Sequence, residues 1–148
     1  MTSIEIRPLK QEDIPSVVQM EYEAWHDYYR QYPEFYDTIE SSVTPEIISK
    51  DWSDFIKVDQ EFSGPMVTGQ DRKAYVATMD GKPVGIAAVS SYVEGKWPPV
   101  DDIIRKKDGS LPKLAKFQNL YIHKDYRGHG IGHHLGVVRA DYMMERGY

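Results

Sequence analysis

The first half of the chain alternates between strand-like and helix-like spacing of its hydrophobic residues. Apolar and charged residues alternate over Ile4–Arg7, which predicts a short β-strand that ends at Pro8. Apolar residues then recur at helical spacing from Gln11 to Tyr29 and predict a first helix. The segment from Tyr28 to Tyr36 is aromatic but is expected to be broken by Pro33, so the pattern predicts two helices before the next strand. Thr44 and Pro45 predict the start of a second helix, because threonine is a favoured cap and proline is tolerated at the first helical position. Its apolar face is expected to contain Ile48, Trp52, Phe55, Ile56 and Phe62, before Gly64-Pro65 ends it.

The second half of the chain carries strand patterns and ends in a helical one. Lys73–Met79 and Lys82–Val93 are rich in valine, alanine and tyrosine, and the Asp-Gly pair at positions 80 and 81 predicts a hairpin turn between them. Glu94–Lys113 is a long polar connection, either a lid or an irregular insertion. Phe117–His123 predicts the next strand. The last helix is expected to pack one face on a sheet through Ile131, Leu135, Val138 and Tyr142.

Composition and charge narrow the class of protein. A chain of 148 residues with 41% hydrophobic residues is expected to form one globular domain of the α/β class. The absence of cysteine excludes disulfides and thiolate catalysis. The net charge of −5, with a single basic cluster at residues 105–107 beside acidic residues, argues against nucleic acid as a partner. No apolar run approaches the length of a membrane span and no secretory leader is recognisable, so we expect no membrane association and a cytoplasmic location.

The most informative segment joins the predicted strand at 117–123 to the last helix. Glycines alternate at positions 128, 130 and 132, at the place where backbone N–H groups are free before the helical hydrogen bonds begin. Such a turn suits a diphosphate, because the amides converge and the helix dipole favours negative charge. A Walker loop is excluded, because His133-His134 stands where Lys followed by Ser or Thr is required. The Rossmann fingerprint is excluded as well, because its third glycine is missing at His133.

The histidines in and near this segment raise the alternative of a metal site. His129 and His133 are four residues apart, with His134 and His123 nearby. They lack the carboxylate and the third ligand expected of a closed site. We therefore expect no metal, and interpret these histidines as polar residues around a helix N-terminus.

The segment Arg127-Gly128-His129-Gly130-Ile131-Gly132 resembles the signature Arg/Gln-x-x-Gly-x-Gly/Ala of the GCN5-related N-acetyltransferases, the GNAT family. The preceding residues 120–126 are similar to the strand and turn that lead into that signature, and the hairpin around Asp80-Gly81 resembles the family's second and third strands. The resemblance implies a GNAT-type mixed, largely antiparallel sheet flanked by helices. It also implies acetyl-coenzyme A as acetyl donor and a primary amine of a small molecule or a protein N-terminus as acceptor.

The resemblance assigns cofactor contacts to two stretches of the chain. The pantetheine arm of coenzyme A is implied to lie along Leu120, Tyr121 and Ile122, where a backbone N–H, expected at Ile122, would polarise the thioester carbonyl. The pyrophosphate is implied to lie on the turn and helix start, with Arg127 adding positive charge. The residues of this second stretch are Arg127, Gly128, His129, Gly130, Ile131, Gly132 and His133.

No catalytic base can be assigned from the sequence. Many relatives carry a glutamate on the strand before the signature, but Gln118 and Asn119 stand here and neither can act as a base. Glu94, Asp101 and Asp102 of the long connection could serve through water or simply be solvated, and we assign none of them. The resemblance also implies that the aromatic residues Trp25, Tyr28, Tyr29, Tyr32 and Tyr36 lie on the acceptor side, where about half of them are expected to be ordinary core or surface residues.

The family fold is expected to continue past the last helix, so residues 1–148 are interpreted as a GNAT domain whose C-terminal strands are missing. Tyr148 does not match the tyrosine often proposed as acid in relatives. A sheet that ends at its fourth strand exposes an unpaired edge, which a second copy of the chain could cover in a homodimer. The alternative to an enzyme is a non-catalytic module that binds coenzyme A or associates with itself.

Overall fold

The structure is a computed structural model, and it describes residues 3–57, 71–92, 106–110 and 113–148. Within these residues, four strands form one sheet in the order β1-β2-β3-β4, and every neighbouring pair is antiparallel. The strands are β1 (Ile4–Pro8), β2 (Arg72–Met79), β3 (Lys82–Ser91) and β4 (Ala115–Ile122). The helices are α1 (Ile14–Tyr29), α2 (Pro33–Ser42), α3 (Pro45–Phe55) and α4 (Ile131–Met144).

Helices cover both faces of the sheet. On one face, Val17 of α1 and Trp52 of α3 are buried in a cluster that includes Val76 and Ile86 of the central strands. On the other face, α4 packs Ile131 and Leu135, with Val138 and Tyr142 at the margin, against alternate residues of the same strands. This arrangement confirms the predicted α/β fold class and the predicted apolar face of α4.

The sequence signals at the ends of elements are mostly confirmed. The Thr44 hydroxyl accepts a hydrogen bond from the backbone N–H of Ile47 at 3.3 Å, and Pro45 is the first residue of α3. Asp80 and Gly81 both have positive φ, 51° and 79°, as a tight hairpin turn requires. The predicted positions Phe62 and Gly64-Pro65, and most of the connection Glu94–Lys113, lie outside the described residues.

The prediction of two helices between β1 and β2 is wrong, because the described residues of this segment already form three. The aromatic segment before Thr44 was expected to be interrupted at Pro33, but Pro33 is the first residue of α2. A proline at that position costs a helix nothing, since the N–H that it lacks would have no partner within the helix. Pro33 therefore starts a helix here instead of preventing one.

An irregularity in β4 separates two parts of its pairing with β3. Ile86 pairs with Tyr121, but Ala88 pairs with Gln118, so β4 has one residue more than β3 between these points. Asn119 has a φ of 54° at this bulge. Arg139 of α4 is buried below it and donates to the carbonyl oxygens of Ala88 at 3.2 Å and of Gln118 at 3.4 Å. The guanidinium thus supplies donors to both strands where the ladder is disturbed.

Candidate functional site

The glycine turn, residues 127–130, delivers the chain into α4 with a set of free amides. Gly128 and Gly130 have φ values of 82° and 78°, which glycine adopts without strain. Gly130 caps α4, and the first helical hydrogen bond runs from His134 N–H to Gly130 O at 3.1 Å. The N–H groups of residues 131–133 precede that bond, so they have no acceptor within the helix. These three amides at the positive end of α4 form a surface suited to an anion.

Two predicted cofactor residues use their side chains to brace the glycine turn. His129 Nδ1 lies 3.0 Å from the carbonyl oxygen of Tyr126 and 3.1 Å from that of Arg127, so this nitrogen carries the proton. Arg127 Nε donates to the carbonyl oxygen of Ile122 at 3.0 Å and ties the turn to the end of β4. The groups of these two residues that remain available to a phosphate are the backbone of His129 and the exposed part of the Arg127 guanidinium.

The N-terminus of α4 lies close to the sheet because β3 carries a glycine there. A Cβ atom on Gly85 would lie 3.0 Å from Ile122 Cδ1 and 3.2 Å from Ile131 Cγ2. Ile131 is 2% exposed, so the side chain of this predicted binding residue is buried in the core and does not contact a ligand. The absence of a side chain at Gly85 therefore lets Ile131, the first residue of α4, pack against the sheet next to Ile122.

Within the described residues, β4 forms one edge of the sheet, and its backbone faces outward beside the glycine turn. His123 N–H donates to Val84 O at 2.9 Å, and hydrogen bonds along an antiparallel pair alternate, so the N–H of Ile122 points away from β3. The side chain of Leu120 is 47% exposed and lies against the start of α4, near Gly132. The predicted stretches 120–122 and 127–133 therefore form one continuous surface.

Tyr121 points to the opposite face, where it meets a buried carboxyl group that the sequence analysis missed. Glu21 of α1 is 7% exposed and accepts hydrogen bonds from Trp52 Nε1 at 2.6 Å and from Trp25 Nε1 at 3.4 Å. Burial raises the pKa of Glu21, although the indole N–H groups oppose the shift. Burial, and then the charge of Glu21, raise the pKa of the Tyr121 hydroxyl.

These residues line a cavity of about 330 Å³ between α1, α3 and β4, called here the Glu21 pocket. Trp25, Trp52 and Tyr121 supply aromatic walls, and aliphatic residues of α3 and of the segment before it complete them. Asn119 of the bulge and Asp51 of α3 also line the pocket. The cavity therefore begins where the irregular part of β4 ends, on the face opposite α4.

Comparison with known proteins identifies the family to which this chain belongs. Residues 70–144, half of the chain, match the family model described as an acetyltransferase (GNAT) domain. The chain belongs to the GNAT acetyltransferase family. No curated protein matches its sequence.

Solved structures share the fold at low sequence identity. A PaiA N-acetyltransferase from Thermoplasma acidophilum, in complex with coenzyme A, is 18% identical with a TM-score of 0.59, over 98% of this chain and 74% of that one. A ribosomal-protein-alanine N-acetyltransferase from Brucella melitensis is 19% identical with a TM-score of 0.54, over 99% and 75% of the two chains. A glucosamine-6-phosphate N-acetyltransferase from Arabidopsis thaliana is 14% identical with a TM-score of 0.59, over 98% and 77%. At these identities, the likeness shows the fold of this GNAT chain.

The aromatic residues expected on the acceptor side of the GNAT domain differ in their contacts and exposure. Trp25 stacks on Tyr29 with ring centroids 5.4 Å apart, and both extend from α1 toward β4. Tyr28 and Tyr32 are 54% and 40% exposed, whereas the hydroxyl of Tyr36 lies 3.0 Å from His26 Nδ1. Only Trp25 of this set reaches the Glu21 pocket.

The described part of this GNAT domain also bears on the catalytic base, on a metal site and on a membrane span. Gln118, the candidate position for the glutamate of relatives, is buried, and its Nε2 lies 3.4 Å from Ser90 Oγ. Glu94, Asp101 and Asp102 lie outside the described residues. Among residues 3–57, 71–92, 106–110 and 113–148, no cluster of three or more histidine and acidic side chains could hold a metal ion. None of the helices in these ranges is both long and apolar enough to span a membrane.

Proposed function

We propose that this chain is an N-acetyltransferase that moves an acetyl group from acetyl-coenzyme A to a primary amine of a small molecule or a protein N-terminus. The observation that carries the proposal is that the free amides of residues 131–133 and the outward N–H of Ile122 lie on one surface. Membership of the GNAT family and the coenzyme A complex of the Thermoplasma acidophilum protein support it. The proposed cofactor residues are Leu120–Ile122 and Arg127–His133.

The free amides at the start of α4 fit a diphosphate in charge and in donor chemistry. Their dipoles all point out of the helix, and Gly130 keeps the approach open because no Cβ atom covers it. The edge of β4 fits an extended amide-containing arm, because an edge strand pairs readily with a further strand-like segment. The N–H of Ile122 is proposed to donate to the thioester carbonyl as negative charge develops there.

The reaction needs a donor, an acceptor and a route for one proton. Bound acetyl-coenzyme A supplies an activated acetyl group: the amine nitrogen bonds to the acetyl carbon, the carbon–sulfur bond breaks, and the sulfur leaves with the electron pair of that bond. The amine loses a proton and coenzyme A gains one. The chain's own contribution is then to orient the donor along β4 and to bring the acceptor amine to its end, where the amine attacks after it has lost its proton.

The proposal is tested by calorimetric titration of acetyl-coenzyme A into the protein and into Gly130→Glu. We expect affinity to fall by about 100-fold or more in the variant, because a side chain and a negative charge enter the phosphate surface at a position with positive φ. Val137→Glu is the matched control, since it adds the same charge to an exposed position of α4. Equal affinities of Gly130→Glu and Val137→Glu would contradict the assignment of the turn to the phosphates.

Release of the coenzyme A thiol in the presence of amines then separates an enzyme from the alternative. Turnover with any primary amine would support the proposed transferase. Binding of acetyl-coenzyme A without turnover would favour a non-catalytic module that binds the cofactor. The cytoplasmic location and a homodimer through the edge of β4 stay predictions, the second of which sedimentation analysis can check.

A further inference from the structure

The Glu21 pocket combines negative charge, aromatic walls and restricted size. Two carboxyl groups line it, Glu21 at 7% exposure and the half-buried Asp51. No lysine, arginine or histidine lines it among the described residues. Burial raises the pKa of both carboxyl groups, although hydrogen bonds from Trp52, Trp25 and Tyr121 oppose the shift at Glu21 and the charge of Lys50 opposes it at Asp51.

A guest with a positive charge would relieve this imbalance. An ammonium group favours the ionised form of a neighbouring carboxyl group, and aromatic faces attract cations within about 6 Å of the ring. Trp25, Trp52 and Tyr121 provide such faces, and the aliphatic wall can receive only an apolar part of the guest. A phosphate or carboxylate on the guest would instead be repelled by Glu21 and Asp51. It would find no lysine, arginine or histidine among the described residues that line the pocket.

The position of the pocket connects this chemistry to the transfer site. Asn119 lines the pocket and lies in the bulge of β4, and Tyr121 lies between that bulge and Ile122. A guest in the pocket is therefore separated from the outer edge of β4 by the thickness of one strand. The volume of about 330 Å³ is at the small end of ligand pockets.

We propose that the Glu21 pocket selects the acceptor, and that the acceptor is a small organic monoamine whose ammonium faces Glu21 and Asp51 while its apolar body lies against the tryptophans. This assignment rests on the proposed transferase function and adds the acceptor class to it. Glu21 is the specificity-determining residue, because it is the deeper of the two carboxyl groups and is held in place by two indole N–H groups. Anionic amines such as sugar phosphates are excluded by charge.

The probes are benzylamine and benzyl alcohol, which differ mainly in the charge of one group. Tryptophan fluorescence can follow binding directly, because Trp25 and Trp52 line the pocket. We expect benzylamine to bind at least about 10-fold more tightly than benzyl alcohol, as charge pairing in a partly desolvated site implies. Glucosamine 6-phosphate, an amine whose phosphate gives it a net negative charge, should give no saturable change in tryptophan fluorescence.

Three variants assign the selectivity to named side chains. Glu21→Gln should lower benzylamine affinity by about 10-fold and leave benzyl alcohol unchanged, and Asp51→Asn should act in the same direction by about 3-fold because it is more exposed. Glu23→Gln, an exposed change on the same helix, should alter neither. If Glu21→Gln does not fold, Asp51→Asn carries the test, since its side chain is only half-buried.

The outcomes separate the pocket from the proposed function. Equal affinity for the amine and the alcohol, or benzylamine affinity unchanged in both Glu21→Gln and Asp51→Asn, would overturn the pocket assignment even if acetyl-coenzyme A binds and other amines are acetylated. If the unmodified chain did not bind acetyl-coenzyme A but bound benzylamine selectively, the transferase proposal would be overturned and the charge selectivity of the pocket would stand. Acetylation of benzylamine with a higher kcat/KM than that of glucosamine 6-phosphate, reduced in Glu21→Gln mainly through KM, would support both.

Discussion

On the α4 face of the sheet, the candidate site consists of backbone groups, whereas on the α1 face it consists of side chains. The amides of residues 131–133 have no acceptor within α4, and glycines at 85, 128 and 130 allow the backbone and packing that place them there. The Glu21 pocket is instead a partly open cavity, and its central carboxyl group is fixed by two indole N–H groups. Backbone amides can bind any ligand with a suitable anion, so the α4 face is suited to a constant cofactor. Side chains change with every substitution, so the α1 face is suited to a variable acceptor.

The contrast predicts that the two faces can be damaged separately, and Gly85 gives the largest expected effect. Gly85→Val would place methyl groups where Ile122 and Ile131 already lie within about 3 Å of a Cβ position. We expect a loss of about 1 to 3 kcal/mol in the free energy of unfolding, because the packed core cannot admit the added volume, and a weaker binding of acetyl-coenzyme A. Denaturant unfolding and calorimetry measure the two effects.

Gly136→Ala is the matched control for Gly85, because a Cβ atom there meets nothing within 4 Å. It should be neutral or stabilise α4 by up to about 1 kcal/mol, as alanine does relative to glycine in helices. The contrast would be broken if Gly85→Val impaired benzylamine binding as strongly as it impaired cofactor binding. That result would mean that both faces depend on the same packing.

Trp52 tests the α1 face with a smaller change. Trp52→Phe keeps an aromatic ring at a position 1% exposed but removes the N–H that donates to Glu21 Oε2 at 2.6 Å. We expect the free energy of unfolding to fall by about 2 kcal/mol, because a buried acceptor loses its partner. Affinity for acetyl-coenzyme A, measured on the folded protein, should stay within about 2-fold. A large loss of cofactor affinity with a small loss of stability would contradict the separation of the two faces.

The two faces also differ in how far the sequence predicts them. Glycine identity reports on backbone geometry directly, so the spacing of Gly128 and Gly130 predicted the free amides at the start of α4. The Glu21 pocket joins residues 31 positions apart, Glu21 and Trp52, and no local pattern reports such a contact. One signal was present: Glu21 shares helical spacing with Val17 and Val18, so it is a carboxylate on an apolar face. A charge in that setting marks a buried partner or a site.

The difference between the two predicted helices and the three in the described residues before β2 has a local cause. The sequence predicts an interruption at Pro33 but the first residue of a helix at Pro45, although both are prolines. The difference is that Thr44 precedes Pro45 and caps α3, whereas Tyr32 precedes Pro33 and has no capping side chain. The bulge at Asn119 was equally beyond prediction, because it depends on how β4 is paired with β3 and on donors from Arg139.

The smallest expected effect concerns pH, and it compares Glu21 with a carboxyl group on a salt bridge. Burial raises the pKa of Glu21 above its ordinary value of 4.5, so between 4.5 and the raised value the folded state holds more proton than the unfolded state. Stability should therefore fall as pH rises through that window, by at most about 1.4 kcal/mol per pH unit for this group. Glu21→Gln should remove the fall, which urea unfolding between pH 4 and 8 would measure.

Asp13 supplies the opposite sign within the same molecule. Hydrogen bonds from Arg7, at 2.7 and 2.8 Å, lower the pKa of Asp13 below its ordinary value of 3.8, despite an opposing effect of burial. Its contribution to stability is complete above pH 3.8 and is lost as pH falls toward the lowered value, and Asp13→Asn should remove only that acid-side loss. If Glu21→Gln changed the acid side instead, Glu21 would be stabilised as a carboxylate by its indole partners. The Glu21 pocket would then already be electrostatically satisfied, and a cationic guest would gain nothing from it.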